Sequence, residues 1–209
     1  DPHSDETEHL LADSLSSLAT LIGLEGDFEH SLPHALAAQA LYEKHNVAIG
    51  QIRVWRALGY AHLQLANYPE ALKVHLSALQ LAQDTGNQEE QVFALVRLGA
   101  VYSHSEDYRM ALDSYYRALP IARKLGDELQ EAMIYNSCSI EHRQLGEYTK
   151  ALDYARRALE MFQRLGNRNW EINALGQLGD TLIKVGQYDE ALVHLNQRAE
   201  LTEGGEYRS

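Results

Sequence analysis

His30 and His34, one helical turn apart, and the single thiol of Cys138 are the side chains here whose types most invite chemistry. A histidine pair at i, i+4 holds a transition metal when a third ligand joins it. Here Pro33 lies between the two, and no HExxH, CxxC or carboxylate–histidine set supplies that ligand. Cys138 stands without a catalytic partner, so a buried structural thiol is the expected state rather than a nucleophile. There is no Walker A or GxGxxG loop to cradle a phosphate, and the pair Gly204–Gly205 belongs to the tail. The 30 acidic side chains spread over what would be solvent faces. The chain is therefore expected to be no enzyme and to carry no cofactor and no metal.

Composition narrows the classes further. The 209 residues are 45% hydrophobic, with four prolines, and carry a formal charge of −12. An acidic surface repels phosphate backbones, which argues against nucleic-acid binding. No apolar run reaches the length of a bilayer span, so no membrane is expected. One cysteine excludes an intrachain disulfide and suits the cytoplasm. The opening Asp-Pro-His-Ser-Asp-Glu is not a signal peptide and lacks an initiating methionine, which reads as a processed or excised chain.

The organising feature is a period of 40 residues. Tyr68, Tyr108, Tyr148 and Tyr188 are each followed three positions later by an alanine and a leucine: Ala71, Ala111, Ala151 and Ala191 begin those pairs. Gly86, Gly126 and Gly166 recur with the same step. Such strictness means one structural unit copied along the chain. Each copy reads as two helices. Apolar spacing of three and four marks the first, as in Phe93, Leu95, Leu98, Val101 and Tyr102. The glycine fits the left-handed position after a helix end. Asn87, Asp127 and Asn167 then fit as N-caps, with Glu90 and Gln130 placed for a capping box. Small residues (the four alanines on second helices, and Gly59, Gly99, Ser139 and Gly179 on first helices) let paired helices approach closely. Residues 1–9 are expected to be disordered and 204–209 to be a tail. The array between them, 10–203, divides into units at about 10–47, 48–87, 88–127, 128–167 and 168–203.

These positions resemble the tetratricopeptide repeat, whose pattern is W-x-x-L-G-x-x-Y followed by small and aromatic positions. Trp55, Leu58 and Gly59 match it, as do Leu98, Gly99, Tyr102, Ala111, Tyr115 and Ala118. Further along, Ala151, Ala158, Leu178, Gly179 and Ala191 match as well. The period exceeds the usual 34, and a Gly-Asp/Asn turn replaces the late proline. This looks like the longer variant of spindle-orientation adaptors and bacterial signalling proteins. The resemblance implies an all-α, right-handed superhelical solenoid of about five helix-turn-helix hairpins. His62 and His142 take the family's tyrosine position, where packing explains them. No polar capping helix is visible, so Leu192, Leu195 and Leu201 are expected to form a bare edge, a candidate homodimer contact.

The resemblance also implies a concave groove lined by first helices that grips peptides. Register transfers its positions to Arg53, Arg56, Tyr60 and Gln64, then to Phe93, Arg97, Ala100 and His104. Met133, Asn136, Ile140, Arg143 and Gln144 follow, and then Asn173, Gln177, Asp180 and Lys184. Five of these are Lys or Arg, against Asp180 here and Asp13 in the first unit. In a chain of charge −12, that suggests an acidic ligand or a free C-terminal carboxylate held by arginine forks. The plain alternative is an ordinary solvated face. The leading expectation is a protein-interaction scaffold. The rival is a sensory or regulatory module of a bacterial signalling protein whose output domain lies beyond Ser209.

Overall fold

The computed structural model describes the backbone of residues 2–206 and the side chains of residues 5–203. Among the described residues there are ten α-helices and no strand. They are α1 (Pro2–Leu24), α2 (Phe28–Lys44), α3 (Ala48–Gln64), α4 (Tyr68–Asp84), α5 (Gln88–His104), α6 (Tyr108–Leu125), α7 (Glu128–Gln144), α8 (Tyr148–Arg164), α9 (Arg168–Lys184) and α10 (Tyr188–Glu206). Most helices are 17 residues long. Two of them with two three-residue turns account for the 40-residue period.

The turns repeat every 20 residues. The middle residue is left-handed at Gly26, Asn46, Ala66, Gly86, Glu106, Gly126, Gly146, Gly166 and Gly186. A reversal after each helix needs that conformation, which glycine adopts without a Cβ clash. Asn87, Asp127 and Asn167 accept from the backbone N–H of Glu90, Gln130 and Trp170 at 3.1, 3.0 and 3.3 Å. Asp107 caps α6 in the same way through Met110. Ala66, at φ 56°, carries a Cβ where the turn prefers none. Ala66→Gly is expected to raise the unfolding free energy by about 1 kcal/mol, read from a urea melt. An unchanged midpoint would show that the turn relaxes without help.

The chain divides into two compact units, Asp1–Ser105 and Glu106–Ser209. In the first unit α1 pairs with α2 and α3 with α4, while α2 packs on α3, α4 on α5 and α1 beside α3. Close approach follows from small residues. A Cβ on Gly59 would lie 2.3 Å from the His75 ring on α4, and one on Gly50 would lie 2.2 Å from the Tyr42 ring. Val54, Leu58, Leu95, Leu98 and Val101 form the apolar interior between them. Tyr68 and Leu72 pack against Leu63, Ala71 and Val101, so the recurring tyrosine fills the space between successive helices.

Of the segment 1–9, expected to be disordered, residues 2–9 lie in α1, which begins at Pro2, and residue 1 lies outside the described residues. Glu8 accepts from Lys44 Nζ at 2.5 Å and pairs with His45 Nε2 at 2.6 Å. An acidic stretch at a helix N-terminus also complements the dipole. Of the expected tail 204–209, residues 204–206 continue α10, which ends at Glu206, while 207–209 lie outside the described residues.

His75 sits beneath Gly59 at 1% exposure. Burial first, then the Arg97 charge, push its imidazole down to about 4. The unfolded chain therefore binds a proton that the folded one refuses between about pH 6.5 and 4. Stability rises with pH across that window, so acidification removes about 3 kcal/mol at this residue. In urea melts between pH 7 and pH 4 the native chain should lose that much more than the His75→Gln variant. Parallel losses in both would show that His75 takes up its proton while folded.

In the second unit α7 pairs with α8 and α9 with α10, while α6 packs on α7, α8 on α9 and α7 beside α9. A Cβ on Gly179 would lie 2.7 Å from Leu195 of α10, repeating the close approach. Phe162 is fully buried and stacks on Trp170 with centroids 5.6 Å apart. Of the expected bare edge on α10, Leu192 is exposed, whereas Leu195 and Leu201 are half-buried. Val193 and Tyr188 are exposed as well.

Candidate functional site

In the first unit, the sequence-derived positions Arg53, Arg56 and Tyr60 on α3 meet Phe93 and Arg97 on α5 around one cavity of about 360 Å³. Its inner wall comes from α1 and α2, through Ala19, Leu24 and Phe28. Helical spacing explains the set: 53, 56 and 60 fall on one stripe of α3, and 93 and 97 on one stripe of α5. The Arg56 guanidinium lies 4.0 Å above the Phe93 ring and that of Arg97 lies 5.0 Å from it. Two cations thus lie against one aromatic ring, to which each is attracted. Phe28 and Tyr60 meet edge to face at 5.5 Å. The result is an apolar recess with a cationic rim.

The rim is internally paired. Arg53 donates to Asp13 Oδ1 at 3.1 Å, and Arg56 donates to Glu90 Oε1. Asp13 also accepts from the Tyr42 hydroxyl at 2.7 Å. Two smaller cavities adjoin the recess. One of about 240 Å³ has Ile49, Ile52 and Glu90 in its wall, and the other is bounded by Asp13 and Tyr42. Arg53 borders all three. Gln64 and His104 lie at the ends of α3 and α5, outside the recess. His104 is exposed and its Nδ1 bonds the Ala100 carbonyl at 2.8 Å.

In the second unit, the positions pair across α7 and α9. Asn136 Nδ2 donates to Asn173 Oδ1 at 3.1 Å, and Arg143 donates to Gln177 Oε1 at 2.8 Å. Asn136 is buried, so its amide orients Asn173 rather than facing solvent. Met133 and Ile140 are half-buried on α7, and Lys184 is exposed at the end of α9.

The residues that first invited chemistry are placed elsewhere. The Cys138 thiol is fully buried and pushed up to about 12, chiefly by that burial. His30 is exposed and bonds its own N-cap, Asp27, at 2.8 Å. His142 bridges Tyr116 Oη and Glu147 Oε2, both at 2.7 Å, and stacks on Tyr154. That trio has the order of a proton relay. Burial raises the Tyr116 hydroxyl above its ordinary value, however, so it is no nucleophile near neutrality. Its evident role is to tie α6, α7 and α8 together. Among the described residues no group of three His, Cys, Asp or Glu is placed to hold a metal ion.

Leu24 and Ala19 escaped sequence reading because the first repeat is degenerate, and Phe28, one period before Tyr68, reads as a repeat position rather than as part of a groove. The one available signal was Asp13, which lies 40 residues before Arg53 with opposite charge. Glu90 was legible only as a cap residue.

The tetratricopeptide repeat profile matches residues 50–124 and 129–203. No curated protein sequence matches the chain. Among solved structures, a signal transduction ATPase with a tetratricopeptide repeat sensor from Pyrococcus horikoshii superposes with a TM-score of 0.84 and 21% identity. That match covers 94% of this chain and 31% of the other, so the chain spans about a third of that protein's length. Kinesin light chain-like repeats of Podospora anserina give 0.77 at 14% identity, covering 96% and 98%. A Rap protein complexed with competence and sporulation factor gives 0.76 at 16% identity, covering 93% and 54%. Recurring hairpins, matched profile and shared fold agree: the chain belongs to the tetratricopeptide repeat family.

Proposed function

We propose that this chain is a protein-interaction scaffold that holds an acidic peptide segment of a partner on its first-helix faces. The observation that carries this reading is the apolar recess of the first unit, rimmed by Arg53, Arg56 and Arg97 in a chain of net charge −12. Such a site suits an apolar side chain flanked by carboxylates. Arginine forks accept a carboxylate through two parallel hydrogen bonds, and the recess shields the apolar group from water. In the second unit, Arg143, Asn173 and Gln177 offer amide and guanidinium groups to a peptide backbone. The fold supports the reading too, since the Rap protein of similar fold is complexed with competence and sporulation factor.

Calorimetry with arrays of acidic and charge-neutral peptides of matched apolar content tests it. Acidic members should bind, and their affinity should fall as salt rises. Equal binding of neutral members, or none by any, would remove the proposal.

A second reading is favoured by the match to part of the Pyrococcus ATPase, whose repeats are a sensor. Here the same arginine site would serve as the input of a regulatory module. Small-angle scattering before and after saturation with a binding peptide would separate the two: a sensor changes its envelope on occupation, and a static scaffold does not.

A further inference from the structure

Two of the arginines that make this site cationic, Arg53 and Arg56, are already engaged by carboxylates of the same chain. We propose that Glu90 and Asp13 are intramolecular competitors: they occupy Arg56 and Arg53 in the unliganded protein and are exchanged for the ligand's carboxylates on binding. The inference rests on the reading of the α3–α5 face as an acidic-peptide site, and it assigns what regulates that site.

Two observations support exchange over a fixed supporting role, and a third ranks the two carboxylates. First, Arg56 does not need Glu90 to hold its place, because the Phe93 ring lies 4.0 Å beneath its guanidinium. Removing Glu90 leaves that stack intact. Second, Glu90 and Arg56 both border the cavity beside the main recess. A ligand carboxylate reaching Arg56 therefore enters the field of the Glu90 carboxylate, and the two repel. Third, the pairs are differently exposed. Arg53 and Asp13 are both more than half exposed, with side chains at 55% and 57%. Glu90 is only 18% exposed beside Arg56 at 45%. Exposed pairs are weak and exchange readily, whereas a covered carboxylate is screened less and resists more. Glu90 is thus the main gate and Asp13 a minor one, further tethered by Tyr42.

This arrangement also shapes specificity. A lone acidic group gains little by replacing one internal carboxylate with another. A ligand gains net free energy when an apolar side chain fills the recess as the exchange occurs. The matched partner is therefore an apolar residue with flanking acids, and a merely polyanionic chain is disfavoured.

The test uses the whole chain and two probes, acetyl-Glu-Phe-Glu-amide and acetyl-Gln-Phe-Gln-amide, with affinities from NMR shift titrations. Glu90→Gln keeps the backbone N–H that Asn87 caps and removes only the charge. It should tighten binding of the acidic probe by about threefold to tenfold, and Asp13→Asn by less than about twofold. The neutral probe should respond to neither. Weaker binding of the acidic probe by Glu90→Gln would make Glu90 a positioning group and overturn the exchange, leaving the peptide site standing; so would unchanged affinity. If the native chain and both variants fail to bind the acidic probe, the peptide-site reading falls, and the exchange with it. Circular dichroism of each variant checks that the helices are intact.

Discussion

Replacing Arg53, Arg56 and Arg97 together by glutamine is expected to weaken binding of an acidic partner peptide by about 100-fold. Each guanidinium offers charge-assisted hydrogen bonds worth about 1.5–3 kcal/mol when well formed. Arg53 and Arg56 are half-exposed and must release Asp13 and Glu90, so the full sum is not realised. A combined loss of about 3 kcal/mol remains, which is the stated fold-change. Glutamine keeps much of each stem and some polarity, so the recess loses charge with little loss of shape. Folded stability should move by less than about 1 kcal/mol, since the Arg53 and Arg56 side chains are about half exposed in their ion pairs. Isothermal titration of native and triple-variant chains measures the effect, and the salt dependence should flatten in the variant. An affinity within about threefold of native would show that the arginine rim does not carry recognition. Arg143→Gln, in the other unit, should cost less, because Arg143 donates to Gln177 and is half-buried.

Phe162→Ala is expected to destabilise the second unit by about 4 kcal/mol. The ring is fully buried and stacks on Trp170 at 5.6 Å with planes 17° apart. Truncation removes its transfer free energy and leaves a gap that helices α8 and α9 cannot close without moving their backbones. The aromatic pair adds about 0.5–1.5 kcal/mol beyond buried area. The Phe162 carbonyl also accepts from Asn167 N–H at 3.0 Å, so the ring sits where the α8–α9 turn is closed. Phe162→Leu retains most of the volume and should lose only about 1 kcal/mol. Urea melts followed by circular dichroism give the values, and Trp170 emission should shift to the red in the alanine variant. A loss below 1 kcal/mol for Phe162→Ala would mean that the neighbouring side chains collapse into the gap.

Both predictions concern residues of unequal legibility. Arg53, Arg56, Tyr60, Phe93 and Arg97 could be named by carrying the family's groove positions along the register, because a strict repeat places each position on a known stripe of a known helix. Their partners could not. Glu90 has the spacing of a cap residue, and a cap residue's backbone role says nothing of where its carboxylate reaches. Phe28 and Leu24 belong to a degenerate repeat in which period alone does not mark a groove position, yet they complete the recess. Asn136 was expected to face a guest, but it is buried against Asn173, because the first-helix faces of α7 and α9 lie close enough for their amides to meet. The helix of residues 2–9 was missed for a similar reason. Acidic composition signals solvation, while Lys44 and His45, far along the chain, supply the partners that hold Glu8.

The chain's local code sufficed for helices, turns and family. Propensity, capping and left-handed glycines act between near neighbours, and the 40-residue repetition reinforces them. Three-dimensional packing alone decided which charges meet. Ion pairing depends on through-space distances between residues 34 or 40 positions apart, as in Arg56–Glu90 and Arg53–Asp13. Separation along the chain does not by itself fix those distances, since they emerge only when helices from successive repeats settle against one another.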